Sequence, residues 1–236
     1  METYTSTFGN SVADALPGER AAFIRKTYAH LAGAVLLFIL LETYLIVSGA
    51  GEVMARTMLG GRFSWFIVLA AFLGVSWLAN WWANSQTSRP LQYMGLALYI
   101  VAETIIFLPL LFLAVIKSGG GEIIIQAGII TAGLFAGLTA VVFLSRKDFS
   151  FLGPILAIGG FVALGFIAAS LLFGFTLGNL FAFVMVAFAG GAILYDTSNI
   201  LHRYRTDQHV AASLSLFASV ALLFWYILRI FMSSRN

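Results

Sequence analysis

The chain has 236 residues, of which 61% are hydrophobic and only 10% charged, with a net charge of +3. An ordinary soluble domain carries about 25% charged residues, so this composition excludes a soluble fold and marks an integral membrane protein. Cysteine is absent, which excludes a disulfide framework and any Cys-ligated metal centre. The basic residues are scattered over loops, so they speak to membrane topology and not to nucleic acid.

Residues 1–29 read as a polar N-terminal tail, with Pro17, Gly18 and a small basic group at Arg20, Arg25 and Lys26. Residues 30–236 read as one membrane domain. Its apolar runs fall at 30–48, 64–82, 92–116, 123–144, 152–173, 177–199 and 211–232. Each is close to or above the ~20 residues that cross a bilayer as a helix. Ser48-Gly49-Ala50 resembles a signal-peptidase site, but both the polar lead and the apolar run are too long for a cleaved signal. The joining segments hold the punctuation, at Gly60-Gly61, 84–90, 119–121, 146–150 and 174–178. The expected architecture is therefore an all-α bundle of seven transmembrane helices. Gly133 and Gly137 form a GxxxG in the fourth, the spacing of close helix packing inside a bundle.

Lys and Arg in the loops set the orientation. With the N-terminus inside, that side carries Arg20, Arg25, Lys26, Arg89, Arg146, Lys147, Arg203 and Arg205. The other side carries Arg56, Arg62, Lys117 and Arg235, with Arg229 close to it. The expectation is a cytoplasmic N-terminus and an external C-terminus. Trp65, Trp77, Trp81 and Trp82 sit towards the ends of the second run, as an interfacial belt places them.

Several chemistries fail on the sequence. A retinal protein needs a lysine in mid-helix, whereas Lys26, Lys117 and Lys147 all fall in tails or loops. An intramembrane serine protease needs a His at membrane depth to activate its Ser, and His30, His202 and His209 lie at run ends or in a loop. H-E-x-x-H is absent. No catalytic residue and no cofactor are expected, and the bilayer is the expected surrounding.

What remains is a set of ionisable residues within apolar runs: Glu42, Glu103, Asp196 and Arg229. A carboxylate at the centre of a membrane helix costs about 2.5–3.5 kcal/mol by insertion scales, so such residues face the bundle interior or a wet cavity. Asp196 ends the run before Arg203, and it either does this or caps the next segment from the headgroup layer. Glu42 lies roughly 18 Å along the first run, Glu103 roughly 16 Å along the third and Arg229 roughly 27 Å along the seventh. Arg229 either snorkels to water or pairs with one of the two Glu, by depth Glu42, as a latch on the outer half.

Three stretches together resemble one family. Arg146-Lys147-Asp148-Phe149-Ser150-Phe151-Leu152-Gly153 is similar to the loop between helices four and five of the Bax-inhibitor family, also called transmembrane Bax inhibitor motif proteins. Leu194-Tyr195-Asp196-Thr197-Ser198-Asn199-Ile200-Leu201-His202 resembles its helix-six signature, and Ser213 to Ile230 its last helix. A weaker similarity runs from Arg25 to the C-terminus. The resemblance implies a seven-helix bundle with helix seven near its centre, and for some bacterial members a proton-regulated calcium leak. In those, two aspartates on helices six and seven share the hydrogen bond that closes the pore. Asp196 matches the first, whereas Ser219 stands at the second and Leu222 where an Asn often follows. Arg229 matches an arginine of the last helix.

The departure at Ser219 matters, because one carboxylate beside a hydroxyl cannot share a proton as two carboxylates do. Asp196 with Ser219 remains the candidate gate and proton sensor, with a shallower response to pH. Calcium takes six to eight oxygens, so Asp196 is at best a weak metal ligand and calcium, or another cation, a passing ion. The Ser219 pattern and Thr197-Ser198-Asn199-Ile200 resemble the YccA-like bacterial branch, which implies a bacterial inner membrane. Members there restrain a membrane AAA protease. A regulatory partner of such a protease is the second reading, with residues 1–29 as its exposed segment.

Overall fold

The computed structural model of the chain describes residues 11–85 and 88–234, the Arg62 side chain excepted. Arg235 lies outside the described residues. Eight helices follow one another: α1 (Pro17–Val47), α2 (Ala50–Leu59), α3 (Arg62–Ala83), α4 (Arg89–Ser118), α5 (Glu122–Ser145), α6 (Leu152–Phe173), α7 (Gly178–His202) and α8 (His209–Ser234). All but α2 are long and apolar enough to cross a membrane, so the seven expected spans are α1 and α3 to α8.

Local chemistry explains the boundaries. Ser88 caps α4 by accepting from the Leu91 N–H, and Pro90 sits in the first turn, where its missing N–H has no partner to lose. Gly119 and Gly121 take φ of +67° and +83°, which lets α4 reverse into α5 across three residues. Two expectations need correction here. Residues 1–29 are not a tail throughout: α1 starts at Pro17, opened by Pro17 itself and by Glu19 against the helix dipole. Val12 and Phe23 are fully buried. The first connection also folds into α2, ten residues whose apolar positions Ala55 and Met58 pack inward while Arg56 pairs with Glu52.

The helix called seven in the sequence is α8. It packs against α1, α3, α4, α5 and α7, and its Tyr226 shares a small apolar cluster with Ala163 of α6 and with Ala182 and Met185 of α7. Of its most apolar window 67% is buried, against 61% for α4 and at most 28% for the other spans. Helix α8 is therefore central, as expected, and α4 shares the interior with it.

The tightest glycine contact is not at the GxxxG of α5. Gly133 and Gly137 are exposed, and a Cβ at either meets nothing within 4 Å. The close contact lies at Gly95 of α4, where a Cβ would stand 2.5 Å from the Ala79 carbonyl oxygen and 2.6 Å from the Ala83 nitrogen of α3. Small residues do set the packing, but on α3 and α4.

The N-terminal segment, the α3–α4 and α5–α6 connections and the α7–α8 loop gather at one end of the bundle, here the N-terminal face. There the Val12 N–H donates to the Tyr204 carbonyl at 2.9 Å, Ser11 bridges Arg205, and Arg20 donates to the Leu201 carbonyl.

Candidate functional site

Helix α8 presents two opposed stripes at about 100° per residue. Phe217, Phe224 and Leu228 form one. Phe217 meets Phe38 of α1 and Tyr99 of α4 edge-on, and Phe224 stacks on Phe107 of α4. Ser215, Ser219 and Tyr226 form the other, facing α7 and the loop before α8. The Ser219 hydroxyl donates to Asp196 Oδ2 at 2.6 Å, while Ser215 and the Tyr204 hydroxyl lie 3.1 Å apart. Tyr226 packs against Phe181 of α7. Asp196 is half-buried while Thr197 and Ser198 beside it are fully buried, so its carboxylate faces α8 and not lipid.

A second polar group stands beside it on α4. Glu103 is 5% exposed and stands one turn after the buried Tyr99, which is close enough to both Glu103 and Asp196 to feel their charges. Tyr204 feels that of Asp196 from the N-terminal face; burial pushes its hydroxyl up to about 12, so it stays neutral. Around Thr197, the hydroxyls of Tyr28 and Thr139 converge within electrostatic reach of one another, yet none of the three forms a hydrogen bond of good geometry.

The loop before α6 is tied to the same stretch of α7. The Phe149 N–H donates to Ser198 Oγ at 2.9 Å, and Ser198 Oγ donates to Asp148 Oδ1 at 3.3 Å. Asp148 also accepts from the Ser150 N–H at 2.8 Å; that bond, first among the causes, holds its carboxyl below the usual range. Gly153 lies under the Tyr195 ring, 3.0 Å from where a Cβ would stand. Two of the sequence stretches that carry the resemblance thus clasp one another two residues from Asp196.

The expected latch is absent. Both carboxylate oxygens of Glu42 are buried without a hydrogen-bond partner, and neither Glu42 nor Glu103 forms an ion pair with Arg229. The angle about the helix axes keeps them apart. Glu42 follows Phe38 by one turn on the side of α1 that meets Phe107 and Phe217. Arg229 is turned about 120° from the Phe217 stripe, next to Tyr226 on the α7 side. Arg229 therefore pairs with neither Glu42 nor Glu103.

Among the described residues no three His, Asp or Glu side chains converge in a way that holds a metal ion. Asp196 with hydroxyls falls well short of the oxygen count of a resident calcium site.

The family model described as "Inhibitor of apoptosis-promoting Bax1" matches residues 20–236. The chain belongs to the Bax inhibitor family. It is 32% identical to Bax inhibitor 1 of Schizosaccharomyces pombe, over 93% of this chain and 79% of that one. An uncharacterized protein of Pseudomonas aeruginosa is 34% identical over 70% and 73%, and the Golgi anti-apoptotic protein of vaccinia virus 30% identical over 94% and 90%. Within this Bax inhibitor bundle, resemblance found Asp196, Ser219 and the central helix. Tyr99 went unnoticed because a tyrosine in an apolar run reads as one more hydrophobe, and Tyr28 and Tyr204 because they stand among the polar residues at run ends.

Proposed function

We propose that this Bax inhibitor family member is a cation leak of the membrane, with calcium among its ions, and that protons regulate it through Asp196. The observation that carries the reading is the 2.6 Å bond that Ser219 of the central helix donates to the Asp196 carboxylate of α7. Two further carboxylates continue the series. Glu103 lies near the middle of α4 and Glu42 towards the far end of α1, so acidic oxygens occur at three depths of the bundle. Carboxylates at membrane depth are the usual lining of cation paths. In this reading calcium is cargo, held weakly enough to leave.

We place the N-terminal face in the cytoplasm of a bacterial cell, where its excess of Lys and Arg belongs. The alternative is a regulatory partner of a membrane AAA protease with residues 1–29 as its exposed segment, within which Val12, Phe23 and Thr27 are buried. The test is flux in proteoliposomes of purified protein, with calcium, potassium and chloride compared against protein-free liposomes. Calcium entry well above the protein-free rate, with chloride at background, is expected. Background rates for every ion would remove the leak and leave the regulatory reading.

A further inference from the structure

An open groove of about 460 Å³ runs between α1 and α4, within the size range of ligand sites. Helical spacing makes it: Ala29 and Gly33 on α1, and Ala97 on α4, leave the space, while Ala34, Leu96 and Ile100 form an apolar floor. A Cβ at Gly33 would meet nothing within 4 Å. From Ala29 to Leu37 the groove follows the helix axes for about 12 Å, from the N-terminal face into the hydrocarbon. Its mouth is polar. His30 Nδ1 donates to the Lys26 carbonyl at 2.7 Å, and the Tyr93 hydroxyl stands 3.2 Å from His30 Nε2.

Charge distinguishes the two ends. Lys26 stands one turn above His30 on α1, and Arg89 one turn above Tyr93 on α4, so two cations flank the mouth at headgroup depth. Both are close enough to His209, which packs 5.0 Å from the His30 ring, to act on its charge. The nearby acid, Asp207, is held by both its oxygens to Arg205. We propose that this groove binds one phospholipid with an anionic headgroup, its acyl chain lying between α1 and α4 and its phosphate at Lys26, Arg89, His30 and Tyr93. An apolar slot along the membrane normal fits an acyl chain. The two cations select the headgroup, by on the order of tenfold or more over a zwitterionic one.

The test is native mass spectrometry of delipidated protein in detergent, titrated with phosphatidylglycerol or with phosphatidylcholine of the same chains. Wild type is expected to hold one phosphatidylglycerol at least tenfold more tightly than phosphatidylcholine. Gly33→Leu fills the slot and is expected to weaken both lipids fivefold or more, whereas Gly74→Leu, at an equally open glycine on α3, changes neither. The double variant Lys26→Gln and Arg89→Gln, at exposed positions, is expected to bind the two lipids alike. Equal affinity for the two lipids in wild type, or retained preference in the double variant, would overturn the proposal. So would a dimer that Gly33→Leu dissolves, since a second copy would then occupy the groove.

Discussion

At the scale of residues, the polar groups of the interior divide into those with partners and those without. Asp196 accepts a hydrogen bond from Ser219. Glu42, at 4% exposure, has a partner for neither oxygen. A buried group left unpaired costs about 1–3 kcal/mol or more, so nothing in local stability accounts for a carboxylate there. Glu42→Met is expected to raise the thermal unfolding midpoint in detergent and to lower cation flux. Such opposed effects are the signature of a charge kept for function. A lower midpoint would show that Glu42 is structural.

Asp148 gives a second prediction, governed by pH. Its folded pKa lies below the ordinary aspartate value of about 3.9, chiefly through the Ser150 N–H. Its contribution to stability is thus complete above that value and is lost as pH falls through the lower, folded one. Wild type is expected to be more stable than Asp148→Asn from pH 7 down to about pH 4, with the two converging below. A gap unchanged at pH 3 would mean that the side chain acts through shape and not through charge.

Among the elements, α3 and α4 are bound by backbone contact at Gly95. A methyl there would press on the Ala79 carbonyl and the Ala83 amide, neither of which can turn aside. Overpacking of this kind costs about 1–3 kcal/mol, and Gly95→Ala is expected to lose at least that much in denaturant unfolding. Gly133→Ala and Gly137→Ala, on the open face of α5, should be neutral or slightly stabilising, since Ala is the better helix former. The pattern of glycines alone pointed to the wrong pair, because a GxxxG gives spacing but not the side of the helix that meets a neighbour. The spans themselves were legible, since twenty apolar residues admit little else in a membrane. Helix α2 was not: ten residues carrying Glu52 and Arg56 fall short of a span and show their packed side only in three dimensions. The start of α1 was hidden for a related reason, as Glu19, Arg20, Arg25 and Lys26 resemble a solvated tail while Phe23 and Thr27 between them are buried.

For the whole molecule, the two ends of the bundle differ in kind. The N-terminal face is tied by hydrogen bonds that cross from residues 11–20 to the Tyr204 loop and from the Asp148 loop to α7. Those ties meet around Asp196, on the side of α8 opposite its aromatic stripe. The far half holds Glu42 and Arg229 on different sides of α8, and so unjoined. Resemblance pointed to Asp196 and Ser219, which the fold brings together. The angles come only from how α8 is turned among its neighbours.

In the proposed leak, the Asp196–Ser219 contact is the gate. Its most direct test is calcium flux against pH in liposomes for wild type, Asp196→Asn and Ser219→Asp. Asp196→Asn removes the titrating group and is expected to flatten the dependence on pH. Ser219→Asp places two carboxylates within hydrogen-bond distance, where they cannot both ionise, and is expected to make flux more strongly pH-dependent than in wild type. Three superposed curves would contradict the claim.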